Sequence, residues 1–264
     1  MDDPCLSFRN LTLGYDGKAA VHRLHADIAK GSLTAVVGAN GSGKSTLMKA
    51  VAGILHPQSG EYRCAPDVSV AYLPQQSALD RTFPAEVRDL VCLGLWPKRG
   101  LLGHITRADR DAMRQALSTV GLSGFEKTGI DALSGGQLQR TLFARTILQN
   151  ADLILLDEPF NAVDERTVSD LMAVIKGWAV EGRTVIAVLH DYDLVRHHFP
   201  QTMLLAKRLV EFGATEDVLH PAVLRQAKSL HEAEGEQAYW CEPAEASQAR
   251  GSSSVFAARG HAYV

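Results

Sequence analysis

A short apolar run, Leu33-Thr34-Ala35-Val36-Val37, leads into Gly38-Ala39-Asn40-Gly41-Ser42-Gly43-Lys44-Ser45, and residues 45–52 have helical character up to Gly53. That succession constrains the fold more than anything else in the chain. A β-branched run bounded by glycines suits a buried strand, and a glycine loop between strand and helix is a cradle for phosphate. The glycines let backbone N–H groups turn inward without a clashing side chain. The helix behind them presents its positive dipole end to the same anion. Lys44 can reach the β- and γ-phosphates of a nucleotide, and Ser45 can ligate Mg²⁺. A glycine turn that merely precedes Lys-Ser arises by chance in about one chain per hundred of this size. The motif points to a nucleoside triphosphate but leaves open what its energy drives.

A second buried-strand pattern, Leu153-Ile154-Leu155-Leu156, ends in Asp157-Glu158-Pro159. An acid at the end of a buried strand is expensive unless a cation meets it. Asp157 is therefore expected to hold Mg²⁺ opposite Ser45, commonly through a water. Glu158 is one residue further, where the chain leaves the sheet, and can orient and deprotonate an attacking water. General-base help of that kind contributes ~10²–10⁴-fold. Acids capping the next helix are the bland alternative, which loses weight beside a phosphate loop.

Further strands are expected from the alternation in residues 6–13, from residues 68–73 and 184–189, and from residues 203–205 and 209–212, with a turn at residues 14–17. Helices should lie between the acidic strand end and Thr184, and from about 213 to Leu230. From about Gln75 to Gln149 the pattern turns helical. Residues 85–95 have apolar residues at helical spacing with Pro84 in the first turn. Thr106-Arg107-Ala108-Asp109 is a capping-box start for a helix ending near Gly121. Strand–helix alternation argues for an α/β core with a largely parallel sheet. The expected organisation is a nucleotide-binding domain over residues 1–230, with a helical subdomain inserted at about 76–149. Residues 231–264, rich in Glu, Ala, Ser, Gln and Gly, are expected to form a mostly disordered tail.

At 264 residues the chain can bury a substantial core. Its net charge of −3, with 22% charged residues, gives no electrostatic reason to expect nucleic acid as a partner. Cys5, Cys64, Cys92 and Cys241 are scattered, which suits unlinked thiols in a reducing compartment. No apolar stretch approaches a bilayer crossing, and the acidic N-terminus lacks the layout of a secretion signal. A soluble cytoplasmic chain is expected.

Leu133-Ser134-Gly135-Gly136-Gln137, about twenty residues before the acidic strand end, changes the picture. Together with the phosphate loop and in this order, it resembles the ATP-binding cassette (ABC) family over about residues 5–229. The resemblance implies a P-loop NTPase core with a mainly parallel sheet, an N-terminal antiparallel β-subdomain and the inserted helices. It implies a homodimer in the ATP-bound state, in which Ser134, Gly135, Gly136 and Gln137 cap the γ-phosphate held by the partner's loop. The ATP site would comprise Tyr15 against adenine, Gly38, Asn40, Gly41, Ser42, Gly43, Lys44, Ser45 and Thr46, with Gln75 as the glutamine that contacts Mg²⁺ or the water. His190, at the exit of residues 184–189, matches the family's switch histidine and would assist Glu158. Asp164 matches the loop at the dimer seam. Asn161 stands where the family usually has Ser or Ala. His197-His198 are adjacent on a helix and are read as solvated surface.

The resemblance also implies separate integral-membrane permease subunits and a location on the inner face of the cell membrane. Arg81-Thr82-Phe83-Pro84 with Val87, Asp89-Leu90-Val91 and Gly94, and residues 204–213, look like the ATPases of bacterial zinc and manganese uptake systems. Those systems use a metal-binding solute-binding protein as well. Siderophore and cobalamin importers have similar ATPases, and a soluble, non-transport ABC ATPase is the alternative of another class.

Overall fold

The structure is a computed structural model and describes residues 4–75, 83–100, 103–161 and 163–236. Arg81, Thr82, Ala162 and residues 237–264, where most of the expected tail falls, lie outside the described residues.

β1 (Leu6–Tyr15) and β2 (Lys18–Ile28) form a hairpin, followed by β3 (Leu33–Val37), α1 (Lys44–Val51), β4 (Ser59–Cys64) and β5 (Val70–Leu73). Among the described residues the α-helices that follow are α2 (Val87–Cys92), α3 (Trp96–Arg99), α4 (Arg107–Thr119) and α5 (Gly135–Gln149). The chain then returns to the sheet through β6 (Leu153–Asp157), α6 (Glu165–Val180), β7 (Thr184–Val188), α7 (Tyr192–His198), β8 (Gln201–Leu205) and β9 (Leu209–Ala214). It closes with α8 (Thr215–Val218) and α9 (Pro221–Glu236).

The strands make a six-stranded sheet in the order β5-β6-β7-β3-β8-β9 and a separate antiparallel sheet, β2-β1-β4. Every pairing in the larger sheet is parallel except β8 with β9. Burial on both faces explains why the central strands β3, β6 and β7 read as largely apolar runs, whereas the edge strand β9 has no buried residue. Leu33, Ala35 and Val37 of β3 face a core shared with α2, α4, α5 and α6, whereas Val36 faces a second core with α1 and the smaller sheet. β6 divides in the same way: Ile154 and Leu156 face the first core, Leu153 and Leu155 the second. By that period of two, Asp157 falls on the α1 side.

Several expectations change in detail. β2 and β4 are strands that the sequence pattern did not single out. β2 shifts register around Arg23, which has a positive φ, and β4 is mostly exposed, so neither alternates cleanly. Pro84 is not in a helical turn. Ala85 and Val87 exchange backbone bonds with Ile130 and Thr128, and α2 starts only after Glu86, whose capping box with Asp89 fixes its first turn. The expected helix over 85–95 finishes as a 3₁₀ turn, Leu93–Leu95. α4 begins as expected, with Thr106 and Asp109 capping each other. α5 begins at Gly135 rather than near Gln137, and α9 runs to Glu236 rather than to about Leu230.

Candidate functional site

The C-terminal ends of β3, β5, β6 and β7 converge, and the chemistry-bearing residues sit on the loops that leave them. The loop after β3 turns on Gly38 (φ 150°), Gly41 (φ 78°) and Gly43 (φ 96°), conformations that side chains rarely adopt. At Gly43 a Cβ would also strike the Ala20 carbonyl, so the loop packs against β2. Lys44 is buried and folds back over the loop, its Nζ donating to the carbonyls of Gly38 and Ala39 at 2.9 Å each. Burial pulls its ammonium below the usual lysine range, opposed by the charges of Glu158 and Asp157. Asn40 and Gly41 are exposed, Ser45 and Thr46 half-buried in the first turn of α1. Ser42 is fully buried, and its hydroxyl has no hydrogen-bond partner among the described residues.

Asp157, at 1% exposure, is the deepest charged group here. Ser45 Oγ donates to its Oδ1 at 3.0 Å, and the Tyr72 hydroxyl reaches its Oδ2 at 3.3 Å. Burial pushes the carboxyl above the usual aspartate range. The Ser45 bond opposes that rise, and the adjacent Glu158 charge adds to it. A buried carboxylate beside a hydroxyl is a hard-oxygen donor set short of positive charge. That is the chemistry Mg²⁺ suits, since it takes one or two protein oxygens and completes its shell with water and phosphate. Among the described residues there is no cluster of three or more His, Cys, Asp or Glu that could hold a metal without such help.

Glu158 has a positive φ of 53°, which swings its side chain off the end of β6. Its Oε2 accepts from Gln75 Nε2 at 2.7 Å and from Asn161 Nδ2, and its Oε1 lies 2.6 Å from His190 Nε2. Burial raises this carboxyl, but the bonds from His190, Asn161 and Gln75 outweigh that and hold it below the usual glutamate range. An ionised, oriented carboxylate results. It opens on a cavity of about 330 Å³ whose lining includes Asn161, His190, Asp191 and Phe160.

Residues 38–46, Gln75, Asp157, Glu158 and His190 are thus gathered at one end of the sheet. Ser134, Gly135, Gly136 and Gln137 form the start of α5: Ser134 Oγ accepts from the Gln137 N–H, and Gln137 Oε1 accepts from the Ser134 N–H. Ser134 is exposed at that tip. Gln139, one turn on, donates to the Pro159 carbonyl at 3.0 Å and ties α5 to the exit of β6. Tyr15 is 47% exposed at the end of β1. Asp164 caps α6, accepting from the Thr167 N–H at 3.0 Å and from its hydroxyl. His197 is exposed, as expected, but His198 is half-buried. Cys5, Cys64 and Cys92 are unlinked, and Cys241 lies outside the described residues.

Sequence reasoning missed Tyr72, Gln139 and the contact made by Asn161. Only Asn161 left a signal, as a polar residue three positions after Glu158, the spacing that closes one turn.

The sequence profile of the ABC transporter family matches residues 21–161, more than half of the chain. The chain belongs to the ABC transporter family. As an ABC ATPase it is 37% identical over 217 residues to the manganese transport system ATP-binding protein MntB of Listeria monocytogenes, spanning 80% of this chain and 90% of that one. It is 37% identical over 211 residues to the zinc transport system ATP-binding protein TroB of Treponema pallidum, 78% and 79% of the two chains. A solved structure assigned to the metal-chelate type of ABC transporter, in an inward-facing conformation, superposes with a TM-score of 0.75 at 29% identity, covering 86% of this chain and 90% of that one. Among the described residues, no helix of the ABC ATPase is long and apolar enough to cross a membrane.

Proposed function

We propose that this ABC ATPase powers the import of zinc or manganese ions as a homodimer docked on separate membrane permease subunits at the inner face of the cell membrane. The hydrolytic part rests on one observation: the Glu158 carboxylate is held by Gln75 and His190 from separate loops, beside the Ser45–Asp157 pair. ATP would exchange its β- and γ-phosphate oxygens for the Gly38 and Ala39 carbonyls at Lys44. Backbone N–H groups of residues 40–46 and the start of α1 would receive the rest of the charge. Ser45, Asp157 and Gln75 would hold Mg²⁺, which supplies neutralisation of the phosphate oxygens. A water oxygen then bonds to the γ-phosphorus while the bond from that phosphorus to the bridging oxygen breaks. ADP leaves with that oxygen, Glu158 takes the water's proton, and His190 steadies the γ-phosphate. Tyr15 would rest against adenine.

Ser134, Gly135, Gly136 and Gln137 would meet the γ-phosphate of the partner subunit's nucleotide, with Asp164 near the seam. Closure is favoured because this loop contacts ATP only in the closed form, and a ligand shifts an equilibrium only through such differential affinity. The helices between Gln75 and Gln149 would pass the motion to the permease, and a metal-binding solute-binding protein would deliver cargo from outside. The cargo assignment is supported by the manganese and zinc systems named for the relatives. A metal-chelate cargo is the second reading, favoured by the structural relative.

The test is uptake into proteoliposomes containing the permease, this chain and the solute-binding protein. ATP-dependent uptake of free Zn²⁺ or Mn²⁺ is expected, and Glu158→Gln should cut it at least ~10²-fold while ATP still binds. Uptake of an iron or cobalt chelate with no response to the free ions would select the second reading. Association with ribosomes or DNA in place of a permease would overturn transport altogether.

A further inference from the structure

We infer that Asn161 is a positioning residue for ATP hydrolysis, holding one oxygen of the Glu158 carboxylate so that the other faces the water to be activated. The inference rests on the reading of Glu158 as the base. Among the described residues, three side chains donate to that carboxylate, and they differ in where they come from. Gln75 follows β5 and His190 follows β7, so their grip depends on how separate elements sit. Both also have other tasks once nucleotide arrives, at the Mg²⁺ site and the γ-phosphate.

Asn161 is different. It lies three residues beyond Glu158 in one turn, closed by its own N–H donating to the Glu158 carbonyl at 3.3 Å. Its amide donates to Oε2 from within that turn. A donor on the same turn travels with the carboxylate, whereas Gln75 and His190 reach it from separate elements. The backbone at Glu158 is already in a left-handed conformation, which sets the direction of Cα–Cβ but leaves the terminal carboxylate torsion free. Asn161 supplies a constraint on that torsion from within the same turn. It pins Oε2 and leaves Oε1 toward His190 and the cavity both residues line. A hydrolytic base needs its accepting lone pair within hydrogen-bond reach of the water, so loss of this constraint should appear in the chemical step and not in nucleotide binding.

The experiment measures kcat, KM and ATP affinity for Asn161→Leu, Asn161→Asp and Asn161→Gln in the full chain, with Glu158→Gln in parallel. Leu keeps the bulk without a donor and should lower kcat about tenfold, the rate equivalent of one hydrogen bond to a charged group at the weak end of its range. KM and ATP affinity should stay within about twofold, the pattern of an interaction made only on the way to the transition state. Asp should fall at least as far, since it sets a second carboxylate beside the first. Gln keeps an amide on a longer stem and should recover part of the rate; if the Leu variant does not fold, a Gln rate above the Asp rate carries the same meaning. Leu at the parental kcat while Glu158→Gln loses a hundredfold would overturn the role of Asn161 alone. Glu158→Gln at the parental kcat would overturn the base and Asn161 together. A Leu variant whose KM rises with unchanged kcat would make Asn161 a binding residue and end the proposal.

Discussion

Lys44 and Asp157 are opposite charges in one buried site, and neither is satisfied by the other. Lys44 gives its hydrogen bonds to two loop carbonyls, and among the described residues Asp157 accepts from a serine hydroxyl and a phenol. Burial moves the lysine down and the aspartate up, each toward its neutral form. A site whose resting charges are under-compensated gains most when phosphate and a divalent cation arrive together. Lys44→Ala should therefore weaken ATP binding by about 10–100-fold, the loss of a charge-assisted contact, as read by titration calorimetry. Unchanged affinity would remove Lys44 from the phosphate site. Part of this arrangement was legible beforehand, since Asp157 was expected opposite Ser45 and Ser45 Oγ donates to it. The spacing from Gly38 to Ser45 announces a phosphate loop because its parts are local, and the two acids stand out against their apolar strand. The Tyr72 contact depends on β5 lying beside β6 in a register that pairs Tyr72 with Leu155, and no local pattern contains that.

At the scale of elements, caps decide where helices begin, and a local cap pair is readable only where nothing else in the sequence competes with it. Thr106 and Asp109 are such a pair and were visible in the sequence. Glu86 and Asp89 displaced an expectation built on Pro84, because strand-like bonding to residues 128–130 holds the chain extended up to Glu86. Asp109 also carries a pH signature. Hydrogen bonds from Arg99 first, then from Thr106, lower its carboxyl from 3.8 to about 2. A depressed folded value means a contribution fully present above the unfolded value and lost as pH falls through the folded one. Asp109→Asn should thus lower the denaturation midpoint at neutral pH, with the gap to the parent narrowing as pH drops from about 4 toward 2. A gap independent of pH would show that the carboxylate charge contributes nothing to α4.

For the whole molecule, the parallel part of the larger sheet was foreseeable because β3, β6 and β7 are buried on both faces, giving each a continuous apolar run. The smaller sheet was only half legible, since β4 is polar and exposed and takes its shape from pairing with β1. The site itself is unevenly shared between positions in the chain. Residues 38–46, Asp157, Glu158 and His190 stand together, while Ser134 is presented outward at the tip of α5 with its hydroxyl already engaged by the Gln137 N–H. That division makes sense for a machine that completes its site by pairing. The most direct measurement is a structure of the Glu158→Gln variant with ATP and Mg²⁺. The account predicts two copies face to face, with Ser134 of each within hydrogen-bond distance of the γ-phosphate seated on the other's loop. A nucleotide-loaded structure in which Ser134 approaches no γ-phosphate would contradict it.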